Sequence, residues 1–537
     1  MVIRKITDTG TTTRAGLPSA NPTASYWLRD PSPTLLGHRS TADLPDTADV
    51  VIVGSGITGA FAARFLKEGG GQGKSVVMLE AREACSGATG RNGGHCQPLV
   101  YGSAPAVAAF ELEVFRFLEG LVKEEGIDCD WVSLTGVHAF FSQDMFELAA
   151  AQVERLERSH PELAAQIEVI SAAGKTGRKT LASLRVPSAN GAVIQKKAAS
   201  LWPYKLVASI LEKLLAKFPP PSFNLQTNTP VTSLSRHESG TGWVLATPRG
   251  TIAARQVLLA TNGYTSHLLP AFSDLIVPVR GQIGALIPPT SPTSLSSSSH
   301  KPSNPLPPAR LVHSYVFAAG ADPSSAAPAA PRDDYLVQRP LPAGELIYGG
   351  GRRFAGDLGV GQWADDELED EVAGYLRGNL VPVLDLRPTL DDDDDDDDDD
   401  GDDYDDDVRE EKKNKKKKQK GEGEDELEAS FEWTGIMGYS RDAHAWVGPV
   451  PERLGGGEGL WICAGYTGHG MPAAALSARE VVRQMTDGGG VEGVRVALPE
   501  ESRLSEERVG RAKAMPRLTA GWEATNFAAL VSRARSL

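Results

Sequence analysis

Residues 48–81 read ADVVIVGSGITGAFAARFLKEGGGQGKSVVMLEA, and this stretch decides the fold. A run of β-branched apolar residues at 50–53 enters a glycine-rich turn, GSGITG, at 54–59. A helix-like pattern follows, and a second apolar run at 76–79 ends on the carboxylate Glu80. Strand, glycine turn, helix, strand and acid in this order predict a β-α-β unit that binds a dinucleotide.

The three glycines of the turn have separate roles. Gly54 allows the tight turn out of the strand, Gly56 lets the backbone approach a pyrophosphate, and Gly59 lets the helix pack against the strand. The helix N-terminus offers unpaired N–H groups and a positive dipole end to the phosphates. Glu80 lies at the spacing expected for hydrogen bonds from a ribose. The predicted cofactor contacts of this unit are Gly54, Ser55, Gly56, Ile57, Thr58, Gly59, Glu80, Ala81 and Arg82.

Three later segments favour FAD over NAD. SGATGRNGGH at 86–95 is dense in small residues, and apolar runs lead into small-residue turns at 256–264 and 460–471. Turns so widely spread in sequence suit a long ligand lying across one domain, and FAD is longer than NAD. The predicted contacts added by these later parts of the chain are Ala88, Thr89, Gly90, Arg91, Asn92, Gly93, Gly94, Val231, Ala260, Thr261, Asn262, Gly465, Tyr466, Gly468, His469, Gly470 and Met471.

The combined pattern resembles the D-amino-acid oxidase-like family of FAD-dependent oxidoreductases over most of residues 45–490, and SGATGRNGGH is most similar to the γ-glutamylputrescine oxidase branch. The resemblance implies an α/β (α+β) fold. A Rossmann-like FAD-binding domain of the glutathione-reductase type would be interleaved with a substrate domain built on an antiparallel sheet. It also implies oxidation of a C–N bond in an amine or amino acid, hydride transfer to flavin N5, and reoxidation by O2 to give hydrogen peroxide.

The resemblance and the composition together predict the division of the chain. The expected segments are an arm at 1–45; an FAD-binding domain at 46–103, 190–270 and 430–490; a substrate domain at 104–189 and 271–390; a Pro/Ser-rich loop at 287–309; an insert at 391–428; and a C-terminal extension at 491–537. The insert contains ten consecutive aspartates, which must stay solvated, so it is predicted to be disordered. It is either an expanded loop without a function or a tether for ions or partners.

The insert also accounts for most of the net charge of −15. Residues 391–428 carry 22 acidic and 8 basic side chains, which leaves 48 acidic and 47 basic residues elsewhere. A nearly neutral remainder gives no electrostatic case for a nucleic-acid or membrane partner.

Targeting signals and cysteines point to a cytoplasmic protein. The sequence has no apolar run of about 18 residues, no secretory signal at its N-terminus and no Ser-Lys-Leu ending. The cysteines show neither CxxC nor metal-site spacing, so reduced thiols and no metal are expected; they are Cys85, Cys96, Cys129 and Cys463.

Catalytic residues are harder to assign, because oxidation of a neutral amine by a flavin does not strictly require a catalytic base. In the family, the turn matching 468–470 places backbone amides near the N1–C2=O edge of the flavin, where negative charge accumulates on reduction. Arg91 either faces the flavin or substrate, or binds a backbone carbonyl. The candidate catalytic or pocket residues are Arg91, His95, His444 and Tyr335, with Arg339, Tyr348 and Trp446 as further pocket candidates; Asp442 is expected to anchor the turn before His444.

Two departures from the sarcosine oxidases bear on the cofactor and the substrate. Those enzymes tether FAD through a cysteine, and Ile436 stands at that position, so noncovalent FAD is expected. They also carry a carboxylate-binding lysine two residues after the glycine-histidine-glycine turn, where this chain has Pro472. An amine or polyamine-like substrate is therefore favoured over a small N-methyl amino acid. An FAD-dependent dehydrogenase with another electron acceptor, or a flavin-binding protein without turnover, remain alternatives.

Overall fold

The computed structural model describes residues 14–289, 307–320, 332–387, 426–486 and 496–520. The aspartate run with most of its insert, and most of the Pro/Ser-rich loop, lie outside the described residues.

Two groups of elements build the molecule. The strands are β1 (Thr47–Val53), β2 (Val76–Leu79), β3 (His95–Cys96), β4 (Val132–Phe140), β5 (Ile167–Ser171), β6 (Gly191–Ser200), β7 (Phe223–Gln226), β8 (Ser233–Arg236), β9 (Trp243–Thr247), β10 (Gly250–Leu259), β11 (Ile276–Leu286), β12 (His313–Ala319), β13 (Arg332–Gln338), β14 (Leu346–Gly350), β15 (Ala429–Ser440), β16 (Trp446–Pro449) and β17 (Leu460–Ala464). The helices are α1 (Ile57–Glu68), α2 (Pro105–Glu125), α3 (Gln143–Ser159), α4 (Pro161–Ala164), α5 (Gly174–Ser183), α6 (Pro203–Lys217), α7 (Thr265–Leu268), α8 (Asp370–Gly378), α9 (Ala474–Met485) and α10 (Glu506–Ala514).

The first sheet is mainly parallel and carries the predicted β-α-β unit. Its main path has the order β16-β17-β10-β1-β2-β7, with β17, β10, β1, β2 and β7 parallel and the β8–β9 hairpin added to β10. The central strands are buried apolar runs, as expected for a parallel sheet covered on both faces. Helices α1, α6 and α9 pack together on one face. The carboxyl ends of β1, β2, β10 and β17 therefore meet at one edge of the sheet.

The second sheet is mainly antiparallel. Its order is β15-β11-β14-β13-β12-β4-β6-β3, with β5 on β6, and only the β12–β4 pair is parallel among the described residues. The predicted α/β fold, in which a parallel and an antiparallel sheet are interleaved along the chain, is confirmed.

Three of the segments predicted for the cofactor domain each contribute a strand to the second sheet. Residues 46–103 contain β3, residues 190–270 contain β6, and residues 430–490 contain most of β15. The physical reason is pairing: β6 joins β4 and β5, and β15 runs along β11 over eleven residue pairs.

The described part of the N-terminal arm packs on the core. Tyr26 and Trp27 are almost completely buried. The indole of Trp202 donates to the carbonyl of Trp27 at 2.7 Å, which holds the arm against the start of α6. Within the described residues, no helix combines the length and apolar character needed to span a bilayer.

Candidate functional site

A cavity of about 760 Å³ is lined by residues of both sheets. One side follows the carboxyl ends of the parallel strands, where ligands of doubly wound sheets bind. The other side is formed by the second sheet, through residues such as Tyr335 on β13 and His138 on β4. A volume of this size lies within the range of cofactor sites.

The first glycine turn has the geometry that the sequence predicts. Gly54 has φ of +107°, and its N–H donates to the carbonyl of Leu79 at 2.8 Å. A Cβ at Gly54 would lie 2.7 Å from the oxygen of Ala260, and one at Gly59 would overlap the oxygen of Gly54. Only glycine permits this close approach of β1, β10 and α1.

Glu80 directly follows β2, the second strand of the β-α-β unit. Its Oε2 accepts from the N–H and Oγ of Ser55 at 3.0 and 2.7 Å, and its Oε1 accepts from the N–H of Arg82 at 3.0 Å. These bonds fix the carboxylate at the cavity wall, and each oxygen keeps acceptor capacity for a ribose hydroxyl.

Arg82 lines the cavity, but its guanidinium is occupied within the protein. It makes two hydrogen bonds to the buried carboxylate of Asp365, at 2.9 and 3.0 Å, and donates to the carbonyls of Ser19 and Ser86. Its side chain therefore joins the arm, the first unit and the segment before α8.

Arg91 binds backbone carbonyls, which was one of the two interpretations of the sequence, and it also lines the cavity. Its Nε donates to the carbonyl of Thr434, and its Nη2 donates to the carbonyl and hydroxyl of Thr23, each at 2.6 Å. Its Nη1 is buried without a hydrogen-bond partner in the described residues, and the residue lines the cavity. Burial lowers the pKa of Arg91 to about 10, although Asp365, 3.2 Å away, opposes this. The side chain therefore stays charged at neutral pH.

The turn at 465–470 is connected to α1. Gly468 has φ of +77°, and the N–H of His469 donates to the carbonyl of Tyr466 at 2.9 Å. The hydroxyl of Tyr466 contacts Thr58 Oγ1 at 2.9 Å and Cys463 Sγ at 3.2 Å. Its ring lines the cavity while its hydroxyl holds the turn against α1.

His469 forms an ion pair that its sequence neighbours do not reveal. Its Nε2 lies 3.2 Å from Oε2 of Glu111, a buried residue of α2. Burial opposes protonation of His469, but the charge and hydrogen bond of Glu111 together raise its pKa.

On the opposite wall, Tyr335 and His95 lie side by side. Their rings are stacked with centroids 6.5 Å apart, and a Cβ at Gly93 or Gly349 would overlap the Tyr335 ring. His95 Nε2 contacts Ser314 Oγ at 2.9 Å. Burial, together with the nearby His469, lowers the pKa of His95 to about 3, so its ring is neutral.

Most predicted residues meet at the cavity, although its walls alone do not establish their roles. Predicted residues that line it are Gly54, Gly56, Ile57, Thr58, Glu80, Ala81, Arg82, Ala88, Thr89, Arg91, Asn92, Gly93, His95, Val231, Ala260, Thr261, Asn262, Tyr335, Tyr466, Gly468, His469, Gly470 and Met471. Ser55, Gly59, Gly90, Gly94 and Gly465 shape the turns behind the wall.

Four pocket candidates lie elsewhere. Tyr348 donates to Asp334 in the core of the second sheet, and Arg339 pairs with Asp130. The indole of Trp446 donates to Ser440, and the carbonyl of His444 accepts from Arg508. Asp442 anchors its turn as expected, because its Oδ1 accepts from the hydroxyl of Ser440 at 2.7 Å and from the N–H of His444 at 3.4 Å. Two hydrogen bonds from Arg508, at 2.8 and 2.9 Å, hold the same carboxylate against α10.

Several lining residues were missed from the sequence. Arg352 follows the glycines that end β14, donates to the hydroxyl of Tyr439 at 2.7 Å and lies 3.6 Å from Asp333. A basic residue directly after a glycine-rich strand end could have indicated the cavity position of Arg352. The sequence holds no such indication for His138, since a histidine in an apolar strand is typical of a core position.

The residues at the cavity fit FAD. Two buried polar groups, Arg91 Nη1 and the hydroxyl of Tyr264, lack partners in the described residues although both side chains line the cavity. Gly56 carries no side chain at the N-terminus of α1, which is where a pyrophosphate would lie. Glu80, at the other end, has the acceptor oxygens that a ribose would need.

Comparisons with known proteins agree with this site. A family model described as FAD dependent oxidoreductase, DAO, matches residues 49–484. A probable oxidoreductase, OrdL, of Rhizobium meliloti is 26% identical over 258 residues, covering 44% of this chain and 54% of the relative. The chain therefore aligns with about half the length of this curated relative.

Solved structures share the fold. Glycine oxidase from Geobacillus kaustophilus has a TM-score of 0.56 at 17% identity, over 86% of this chain and 99% of that chain. L-Proline dehydrogenase from P. horikoshii has a TM-score of 0.53 at 17% identity, over 83% and 95%. The matched family model spans the glycine turn at 54–59, all three later small-residue segments and the second sheet, and the chain accordingly belongs to the DAO family of FAD-dependent oxidoreductases.

Proposed function

We propose that this oxidoreductase binds FAD noncovalently and oxidises a C–N bond of an amine or amino acid, with O2 as electron acceptor and hydrogen peroxide as product. The observation that carries the proposal is the continuous cavity. It joins the Gly54 turn, Arg91 and the Gly468–Gly470 turn to Tyr335 on the second sheet. One wall suits the cofactor, and the other leaves room for a small substrate.

The chain's own residues suit the cofactor side. Glu80 would hold the ribose, and the backbone at Gly56, beside the N-terminus of α1, would face the pyrophosphate. When bound, FAD would supply the acceptor for the hydride removed from the carbon next to the substrate nitrogen. The backbone at 468–470, with a His469 that Glu111 keeps protonated to higher pH, would stabilise negative charge at the adjacent ring edge.

The substrate side suits a neutral amine. His95 is held uncharged beside Tyr335, so it does not repel an amine that binds there. If the substrate is an amino acid, Arg352 is the cationic side chain of this wall in position to meet its carboxylate. Tyr335 and His95 would orient the substrate; no side chain needs to act as a base.

Noncovalent binding is supported by the cysteines. Ile436 lines the cavity at the position of the tethering cysteine in the sarcosine oxidases, and none of the four cysteines does so. Cys463 is the cysteine nearest in sequence to the turn at 465–470. Burial raises the pKa of Cys463 to about 12, which keeps the thiol unreactive.

The test is reconstitution with FAD followed by an amine and amino-acid panel. The bound flavin should show a visible spectrum, lose it under anaerobic conditions with a substrate, and be released from the protein on denaturation. Flavin that remains attached after denaturation would overturn noncovalent binding. Reduction followed by slow reoxidation in an oxygen pulse would indicate a dehydrogenase, and bound FAD that no compound bleaches would indicate a protein without turnover.

A further inference from the structure

The cavity extends beyond Tyr335 into a region that the proposed chemistry does not use. This region, the distal lobe, is lined by Gln97, Tyr101, His138, Phe140, Met145 and Gln195. Tyr335 pairs with Val316, and Val316 pairs with His138, across three neighbouring strands. At about 4.8 Å between strands, the backbones of Tyr335 and His138 are about 10 Å apart.

The orientation of one amide fixes the protons of this lobe. The N–H of Val100 donates to Oε1 of Gln195 at 2.8 Å, so Nε2 of Gln195 faces Nε2 of His138 at 3.1 Å. Because an amide nitrogen only donates, His138 Nε2 must be the unprotonated acceptor. The proton of the neutral imidazole is then on Nδ1, which lies 2.8 Å from the hydroxyl oxygen of Tyr101.

The hydroxyl of Tyr101 is consequently left with a hydrogen to donate. Its oxygen accepts from His138, so its own O–H does not point to that ring and is available to the cavity that Tyr101 lines. Burial raises the pKa of Tyr101, so the hydroxyl keeps its proton.

An acceptor lies beside this donor. Gln97 is 5% exposed, and its Nε2 faces His138 Nε2 at 2.7 Å. Its Oε1 is buried without a hydrogen-bond partner in the described residues.

The distal lobe has no net charge to offer a ligand. Burial, with His95 and His469 nearby, lowers the pKa of His138 to about 3. The carboxylate of Glu111 is engaged through Oε2, which accepts from the N–H of Leu99 at 2.8 Å and lies 3.2 Å from His469 Nε2. A charged group placed in the lobe would lose its hydration without gaining a counter-ion.

We propose that the distal lobe binds an uncharged group that both donates and accepts hydrogen bonds, a carboxamide, at the end of the substrate remote from the oxidised nitrogen. Gln97 Oε1 would accept from the carboxamide N–H, and the Tyr101 hydroxyl would donate to its carbonyl. Phe140 and Met145 would cover its carbon chain. This inference rests on the proposed function, since it places the reacting amine beside Tyr335.

The test uses FAD-loaded protein and substrates that differ only at one end. 6-Aminohexanamide, 6-aminohexanoate and 1,6-diaminohexane share a chain length and carry a neutral, a negative and a positive terminus; glutamine and glutamate form a second pair. The carboxamides should have kcat/KM about 100-fold above their charged partners, because the lobe pairs only neutral groups. Equal values, or a preference for a charged terminus, would overturn the inference while leaving the amine-oxidase function intact.

Two variants separate recognition from folding. Tyr101→Phe should raise KM for the carboxamides about 10-fold with little change in kcat, and should leave the charged substrates unchanged. Tyr204→Phe, which also loses a buried tyrosine hydroxyl but lies outside the cavity, should not alter the preference. An unchanged preference in Tyr101→Phe would contradict the assigned donor.

Ligand binding to the distal lobe can be measured even if the protein oxidises no amine. If no amine is oxidised, the proposed function is wrong, and titration of the bound flavin's spectrum with pentanamide and pentanoate decides the inference. Tighter binding of pentanamide, weakened by Tyr101→Phe, would support it. Equal binding of the two ligands would overturn it.

Discussion

Glu111 Oε2 lies 3.2 Å from His469 Nε2, which joins the middle of α2 to the turn that begins α9. Glu111→Gln should keep the hydrogen bond and remove the charge, so the pKa of His469 should fall from its raised value. Loss of the imidazolium charge should then occur at lower pH than in the native protein. The pH dependence of the bound flavin's absorbance and of kcat should shift in the same direction.

Glu113→Gln is the matched control. Glu113 lies two residues away on α2 and pairs with Arg116 at 3.7 Å rather than with the cavity. Its pH profile should match that of the native protein. A Glu111→Gln profile identical to this control would show that the ion pair does not set the charge of His469.

The buried carboxylate of Asp365 should be essential for stability. It accepts from Arg82 and lies 3.2 Å from Arg91, and all three side chains are almost fully buried. Asp365→Asn would leave two buried cations without a counter-charge, a change that costs about 3–5 kcal/mol. Urea denaturation of the FAD-free protein should measure this loss, and the affinity for FAD should also fall.

The neighbouring Asp366 provides the comparison, because it is exposed. Asp366→Asn should change the free energy of unfolding by less than about 0.5 kcal/mol. Similar effects of the two substitutions would show that the Arg82–Asp365 pair does not stabilise the fold.

Gly59→Ala should prevent normal packing of α1 on β1. The new methyl group would overlap the carbonyl oxygen of Gly54, which is backbone and cannot turn away. Overpacking of this kind costs about 1–3 kcal/mol, and displacement of α1 should also weaken FAD binding. Thermal unfolding and titration with FAD measure the two effects.

Gly374→Ala tests the same substitution in a helix with free space. No atom lies within 4 Å of a Cβ at Gly374 in α8, so the higher helix propensity of alanine should stabilise the protein by about 1 kcal/mol. If both alanines destabilise equally, steric overlap is not the cause at Gly59.

The cofactor side of the site was readable from the sequence because its residues are local. A buried strand, a glycine turn, a helix and a second strand that ends on an acid form one continuous pattern, so the positions of Gly54 and Glu80 at the cavity could be predicted from spacing alone. For Arg91, the sequence predicted a position at the cavity, because its neighbours form a small-residue turn. The sequence did not predict its hydrogen-bond partners Thr23 and Thr434, which come from distant segments.

The substrate side was only partly predictable from the sequence: Tyr335 and His95 were candidates and line the cavity, but His138 was missed because strand pairing, and not sequence distance, brings it there. His138 and Tyr335 are 197 residues apart in the sequence but share a sheet face, because β12 pairs with both of their strands. Tyr348 was expected at the pocket, yet strand alternation turns its side chain to the core, where it donates to Asp334. Register decides the face, and register is set by non-local pairing.

His138 should make stability depend on pH in a defined window. Its pKa is lowered from the ordinary value of 6.5 to about 3, so between these values the unfolded chain binds a proton that the folded chain does not. Stability must therefore rise with pH across the window and fall as the pH drops, with a maximum slope of about 1.4 kcal/mol per pH unit. His138 is 6% exposed, so solvent screening is small.

The contribution of His138 is isolated by difference, since His95 and the carboxylates also titrate at low pH. His138→Asn removes the titrating ring, so the free energy of unfolding measured in urea from pH 4 to 7 should rise less steeply than in the native protein. His237→Asn, on the exposed β8–β9 hairpin, should retain the native slope. The inverse result, a steeper dependence in His138→Asn, would mean that the folded state binds the proton, and the neutral ring required by the Gln195 and Tyr101 contacts would then be excluded.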